Sequence, residues 1–217
     1  MGAMAKTKAP AGKAEWTIPA ALVKATTTPA IVTVPARAAL AIDGRGAPAS
    51  DDFQQALAAL YGTAYGLKFA RKNSGCKTPF KVAALEGLWA AAAGWTDETA
   101  LPPAELWTWR LRMGVPSDMT EPEVAEAIRE ATSKKGGKLE GSSVVGRILL
   151  ERIPATRYGR ILHIGAYADE PRSFAVLGTA LAAAGLSARH SHIEIYLGDP
   201  RRTTPEKLKT VLLKEVS

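Results

Sequence analysis

The sequence predicts an α+β fold in which two strand-helix-strand-strand units, related by a pseudo-twofold axis, share one sheet and leave a central ligand groove. Three observations predict it. Residues 34 to 57, VPARAALAIDGRGAPASDDFQQAL, and residues 153 to 177, IPATRYGRILHIGAYADEPRSFAVL, follow one plan: a β-branched residue, Pro-Ala, a turn, an apolar strand, a glycine and an acidic or proline-rich helix start. In both copies the glycine, Gly44 or Gly165, stands nine residues ahead of a phenylalanine, Phe53 or Phe174. RLRMGVPSDMTEPEVAEAIREA (110–131) also matches EIYLGDPRRTTPEKLKTVLLKE (194–215), with Gly114 on Gly198 and Pro116 on Pro200, so that Arg110 becomes the counterpart of Glu194. One domain then spans 16–217, with a first repeat over about 34–131 and a second over about 153–215.

The elements follow in order. DDFQQALAALYGTAYGLKF carries Phe53, Leu57, Leu60, Ala64 and Leu67 at helical spacing, with Ser50 or Asp51 placed to cap its start. FKVAALEGLW and ELWTWRLRM read as the two strands of the first unit. EPEVAEAIREATSKK reads as an outer helix opened by a proline. In the second unit, RSFAVLGTALAAAG is a helix stopped at Gly185, and SHIEIYL is a strand. TPEKLKTVLLKEV is expected to be the second outer helix.

Composition narrows the function classes. Hydrophobic residues make up 47% and charged residues 23%, an ordinary globular balance, and no apolar run is long enough to span a bilayer. The first 15 residues, with Lys6, Lys8 and Lys13, read as a mobile basic tail without the apolar stretch of a secretion signal. A cytoplasmic location is expected. The lone Cys76, in the loop KNSGCKTP, excludes an internal disulfide. The net charge of +7 is scattered among acids and shows no recognition helix, so a solvated surface is expected rather than direct nucleic-acid binding. His190 and His192 lack a third ligand in the pattern, and neither glycine-bearing loop matches a nucleotide-binding motif; no metal or cofactor is expected. The pattern leaves the oligomeric state open.

The candidate site residues lie where the two units would meet. In HSHIEIYLGDP, strand alternation puts Ile193, Ile195 and Leu197 on one face and His192, Glu194 and Tyr196 on the other. The first face reads as core. On the second, Glu194 is either solvated or the partly desolvated floor of a site, where it would need a partner. Tyr61 and Tyr65 flank the first helix's core stripe and are placed to border a cleft or to cover the sheet margin. Trp89, Trp107 and Trp109 lie on the adjacent strands, as core or as an aromatic lining that stacks on planar or cationic ligands.

FQQALAALYGTAYGLKFA, FKVAALEGLWA, ILHIGAYADEPRSF and, most specifically, EIYLGDPRRTTPEKLKTVL resemble the GyrI-like small-molecule-binding domain in its standalone form, over residues 16 to 217. The resemblance implies two strand-helix-strand-strand units with ligand between them and, in drug-sensing relatives, a buried glutamate that recognises lipophilic cations. Carried over by motif, that residue is Glu194. LYGTAYGLK with EGLW is most similar to a standalone branch, the cyclopropanoid cyclopropyl hydrolases, whose aromatic cage binds and hydrolyses DNA-alkylating cyclopropane natural products. That likeness makes Tyr65 and Trp89 the foremost cage candidates, followed by Tyr61, Trp107 and Trp109. The expected function is binding of aromatic, lipophilic xenobiotics. Hydrolysis, with Glu194 and Tyr65 as the catalytic pair, is the alternative, and ligand sensing for a partner regulator is a third.

Overall fold

The computed structural model of the chain describes residues 16–75, 80–91, 103–134, 137 and 139–217. The proposed tail and Cys76 lie outside the described residues. Eight strands form one antiparallel sheet: β1 (Ala30–Val34), β2 (Arg37–Arg45), β3 (Leu85–Ala91), β4 (Trp107–Val115), β5 (Leu149–Ile153), β6 (Thr156–Ile164), β7 (His192–Tyr196) and β8 (Lys209–Glu215). The helices are the short α1 (Ala20–Val23), α2 (Asp51–Asn73), α3 (Glu121–Ser133) and α4 (Glu170–Ala183).

The order across the sheet is β1-β6-β8-β7-β3-β4-β2-β5. Read inward from either edge it repeats one scheme, edge strand, first, last and middle strand of a unit, so that β3 and β7 meet at the centre. Each unit surrenders its edge strand to the other. β1 leads into β2 through Pro35-Ala36 yet pairs with β6, and β5 leads into β6 through Pro154-Ala155 yet pairs with β2. A proline lacks the N–H needed to continue a ladder, so each Pro-Ala step ends one strand before the next begins.

Local signals account for the helices. The Ser50 side chain accepts from the Phe53 N–H at 3.3 Å, and Asp51 and Asp52 sit in the first turn of α2 with Arg71 and Lys72 in its last, each sign matched to the helix dipole. Thr120 and Glu123 form a reciprocal capping box on α3. Gly185, just past the end of α4, has φ +67°, which a side chain would strain.

Two expectations are corrected. TPEKLKTVLLKEV is not a helix: after a 3-10 turn (Pro205–Lys207) it runs as β8 between β6 and β7. Thr210, Val211, Leu212 and Leu213 are all buried because an interior strand is covered on both faces, and such a run has no polar alternation to separate it from a helix. The counterpart assigned to Glu194 also changes. In the strand scheme β7 holds the place that β3 holds in the first unit, whereas Arg110 is on β4 and bonds to Asp43 and Glu151 on the far face of the sheet.

The two faces are packed differently. On one, α2 rests on β2 and β4 and α4 on β6, over cores built around Leu40, Ile42, Leu60, Leu111 and Met113 and around Ile161, Leu177, Leu181 and Leu212. On the other, Leu22 of α1 packs with Val34, Tyr158, Ile193, Ile195, Val211 and Leu213. Ile193 and Ile195 are core as their alternation implies, but Leu197 lies beyond the end of β7 and is exposed.

Candidate functional site

β3 and β7 run down the middle of the sheet between α2 and α4, and their upper face carries the candidate site. Cross-strand partners share a face. His192 pairs with Trp89, Glu194 with Gly87, and Tyr196 with Leu85. Glu194 also pairs with Leu212 of the core beneath α4, so it points to the helix side. Its side chain is 14% exposed, which places it on a floor rather than on a solvated sheet.

Its hydrogen bonds explain how a carboxyl group is accommodated there. The Tyr196 hydroxyl donates to Glu194 Oε2 at 2.7 Å, and His192 Nε2 lies 2.8 Å from Oε1. The Trp89 Nε1–H in turn donates to the Tyr196 hydroxyl at 3.0 Å. A buried carboxyl group is costly unless its oxygens are met, and here the neighbours two residues away on the same strand face meet both. Gly87 makes the arrangement possible: a Cβ there would stand 2.7 Å from Trp89 Nε1 and 3.1 Å from the Tyr196 hydroxyl. A mid-strand glycine marks such a close approach.

The start of α4 closes the site from above. Tyr167 meets Tyr196 edge to face, with ring centroids 5.7 Å apart, and Phe174 meets the His192 ring at 4.7 Å. Glu170 lies between Tyr167 and Phe174 in the helical series i, i+3, i+7, as Glu194 lies between Tyr196 and His192 on the strand. Glu170 is 5% exposed; its Oε1 makes no hydrogen bond of good geometry, and the Thr210 hydroxyl and Glu194 lie beside the carboxyl group. Burial, and after it the negative charge of Glu194, push the Glu170 carboxyl up to about 8. Burial also raises Tyr196 well above the usual phenol range, with Glu194 adding to it. Tyr167 is raised by burial and by the charges of Glu170, Glu194 and Asp199. His163, buried on β6, holds this corner in place through Ser173 Oγ at 2.9 Å and the Ala166 carbonyl at 3.0 Å.

The sequence-derived candidates fall in three places. Trp89 is at the floor, bonded to Tyr196, and stacks on Phe53 at 5.7 Å. Trp107 meets Trp89 edge to face at 5.9 Å and is half-buried. Trp109 is 3% exposed and packs edge to face on Phe53 in the core under α2. Tyr61 and Tyr65 are on the accessible flank of α2, 36% and 45% exposed; Tyr65 stacks on Phe69. Partial burial raises the Tyr61 hydroxyl, with the nearby Tyr65 and then Asp199 of the loop after β7 adding to it.

Glu170, Tyr167, His192, Tyr196 and Gly87 were not among the sequence candidates. Strand parity already put His192 and Tyr196 on the face of Glu194, and the i, i+3, i+7 series was readable in YADEPRSF. What was missing was the pairing of that helix start with β7. The assembled residues bring negative charge, phenol hydroxyls and ring faces together on one side of the sheet.

No protein-family model matches the sequence, and no curated protein does. Solved structures do. The chain is similar to an uncharacterized conserved protein from Listeria innocua, at 28% identity and a TM-score of 0.78 over 89% of this chain and 94% of that one. It is similar to a protein described as a hydrolase from Listeria innocua, at 28% identity and a TM-score of 0.74 over 89% of this chain and 93% of that one. The C-terminal domain of EcmrR shares the fold, at 11% identity and a TM-score of 0.52 over 88% of this chain and 97% of that one.

Proposed function

We propose that the protein binds aromatic, lipophilic small molecules, cations foremost, in the groove between α2 and α4, and thereby protects the cell from them. The observation that carries this reading is a carboxyl group, Glu194, held at the floor of an aromatic-walled site by Tyr196 and His192. Ring faces supply stacking and exclude water, and in that drier surrounding Glu194 attracts positive charge more strongly than it would in water. Trp89 forms the floor with it, Tyr61, Tyr65 and Trp107 supply the rims, and Trp109 packs beside Trp89 on the same face, in the core under α2. The reading places the chain in the standalone branch of GyrI-like domains, as one domain over residues 16–217 acting in the cytoplasm.

A fluorescence titration with a cationic dye tests it. Glu194→Gln keeps the shape and removes the charge, so affinity should fall roughly 10- to 100-fold, the range for a lost charge-assisted contact. Unchanged affinity would show that Glu194 is no anchor.

A second reading, hydrolysis, is favoured by the likeness to a Listeria innocua protein described as a hydrolase. In this reading the substrate is an electrophilic cyclopropane fused to a planar ring system. Glu194 orients a water and takes its proton as the oxygen attacks the strained carbon; the ring bond breaks, and its electron pair moves to the conjugated carbonyl, whose developing phenolate accepts a hydrogen bond from Tyr65. Mass spectrometry decides it: a gain of one water that is lost in Glu194→Gln supports turnover, and drug recovered intact after long incubation rejects it.

A further inference from the structure

Two contacts fix the start of α4 on β7: Tyr167 on Tyr196 and Phe174 on His192, at 5.7 and 4.7 Å between ring centroids. Glu170 and Glu194 are the middle members of those two series, so the packing brings the two carboxyl groups together between the two ring pairs. Glu194 has both oxygens engaged, whereas Glu170 Oε1 is buried without a hydrogen bond of good geometry, with the Thr210 hydroxyl and Glu194 beside its carboxyl group. Two carboxyl groups confined in this way do not both ionise; one keeps a proton.

We infer that the ligand-free protein holds one proton on Glu170 beside Glu194, and that a lipophilic cation seated at Glu194 expels this proton to solvent, making the groove a proton-for-cation exchanger. This inference rests on the cation-binding reading above and adds its pH regulation. A positive charge within about 4–6 Å lowers a carboxyl pKa by roughly 1–3 units. Starting from about 8, that shift carries Glu170 from mostly protonated to mostly ionised near neutral pH. The site's net charge is then the same with and without ligand, because the cation replaces the proton.

The surrounding groups leave Glu170 as the source. From β7 the pair is faced by His192 and Tyr196, from the turn ahead of α4 by Tyr167, and from β6 by His163, which is bound to Ser173 and the Ala166 carbonyl. Lys214 of β8 lies 5.9 Å from the Phe174 ring; burial lowers its ammonium, but its Nζ donates to the carbonyls of Arg189 and His190, bonds that favour the charged form. A release that survives in Glu170→Gln and in His192→Gln alike would point to Lys214 instead. Asp199, paired with Arg201, and Tyr61 lie at the open end. Burial and neighbouring negative charge raise Tyr61, Tyr167 and Tyr196, so none of the three releases a proton near neutrality.

Ethidium, a permanent planar cation with no proton of its own to lose near neutrality, is the probe. Calorimetry at pH 7 in two buffers of different ionisation enthalpy counts protons, and fluorescence titrations from pH 6 to 9 give the affinity. The wild type should release close to one proton at pH 7, and its affinity should rise roughly tenfold between pH 6 and 8, since a proton lost on binding makes binding tighter as pH increases. Glu170→Gln should bind with no proton release and a flat pH profile. Wild-type affinity independent of pH, with no proton released, overturns the exchange while leaving cation binding standing. Release that survives in Glu170→Gln but disappears in His192→Gln overturns it by moving the source to the imidazole. No ethidium binding at any pH overturns this inference and the reading beneath it together. The wild-type proton count needs no variant to fold.

Discussion

A methyl group at position 87 would have to occupy space held by Trp89 Nε1 and the Tyr196 hydroxyl, so Gly87→Ala must part the two groups that support Glu194. Overpacking of this kind costs about 1–3 kcal/mol. The expected outcome is a lower denaturation midpoint together with weaker dye binding; full affinity in a folded Gly87→Ala protein would show that the Trp89-to-Tyr196 bond does not hold the site in shape. Glu170 leaves a pH signature on stability. Its carboxyl ionises at about 8 in the folded protein against an ordinary 4.5, so between those values the folded state holds the extra proton. Stability from this group is fully present below pH 4.5 and is lost as pH rises to about 8, at up to about 1.4 kcal/mol per pH unit. Glu170→Gln has no such dependence. Thermal denaturation should therefore show the variant gaining on the wild type from pH 5 to 8 and holding a constant lead above that; a lead that does not change with pH would contradict it. The placement of Glu194 was legible in HIEIY only as a choice between a solvated and a covered face. Strand alternation fixes which face a residue takes but not what covers that face.

Elements hold together here through a few charged contacts between long-range partners. Arg37 of β2 and Glu86 of β3 form a bidentate pair, both bonds 2.7 Å, on the face away from the groove, and both side chains are buried. Removing one partner strands the other charge without water, at a cost of about 3–5 kcal/mol. Urea denaturation should show that loss for Glu86→Leu, with most of it recovered in the Arg37→Met, Glu86→Leu double variant. A double variant as unstable as the single would mean that packing, not the stranded charge, dominates. Arg71 acts similarly between helices, reaching from α2 to Asp118 and to the Glu123 of the α3 capping box, at 2.8 Å to each. The helices with their caps were legible because α2, α3 and α4 carry local stop and start signals. β8 was not, because a strand buried on both faces and a buried helix have the same apolar run. Only the ladders to β6 and β7 decide between them.

The whole molecule is built from two halves that exchange edge strands across a shared centre. β1 belongs to the sheet of the second unit and β5 to that of the first, while β3 and β7 join them. Neither half can then close its own sheet. Fragments 1–133 and 142–217 should each lack cooperative structure by circular dichroism and regain it when mixed; a fragment that folds alone would contradict the interlocked assembly. The same construction puts β3 and β7 at the centre of the sheet, between the strands that α2 and α4 cover, which is where the proposed groove lies. By itself the sequence determined the α+β class, the duplicated strand-helix plan, the helix caps and the face on which Glu194 lies, since each is a matter of local propensity and period. The tertiary structure alone decided that β7 pairs with β3 rather than standing in the place of β4, that β8 is a strand, and that Glu170 sits over Glu194. Those are contacts between residues far apart in the chain, chosen by packing and desolvation, which no local pattern encodes.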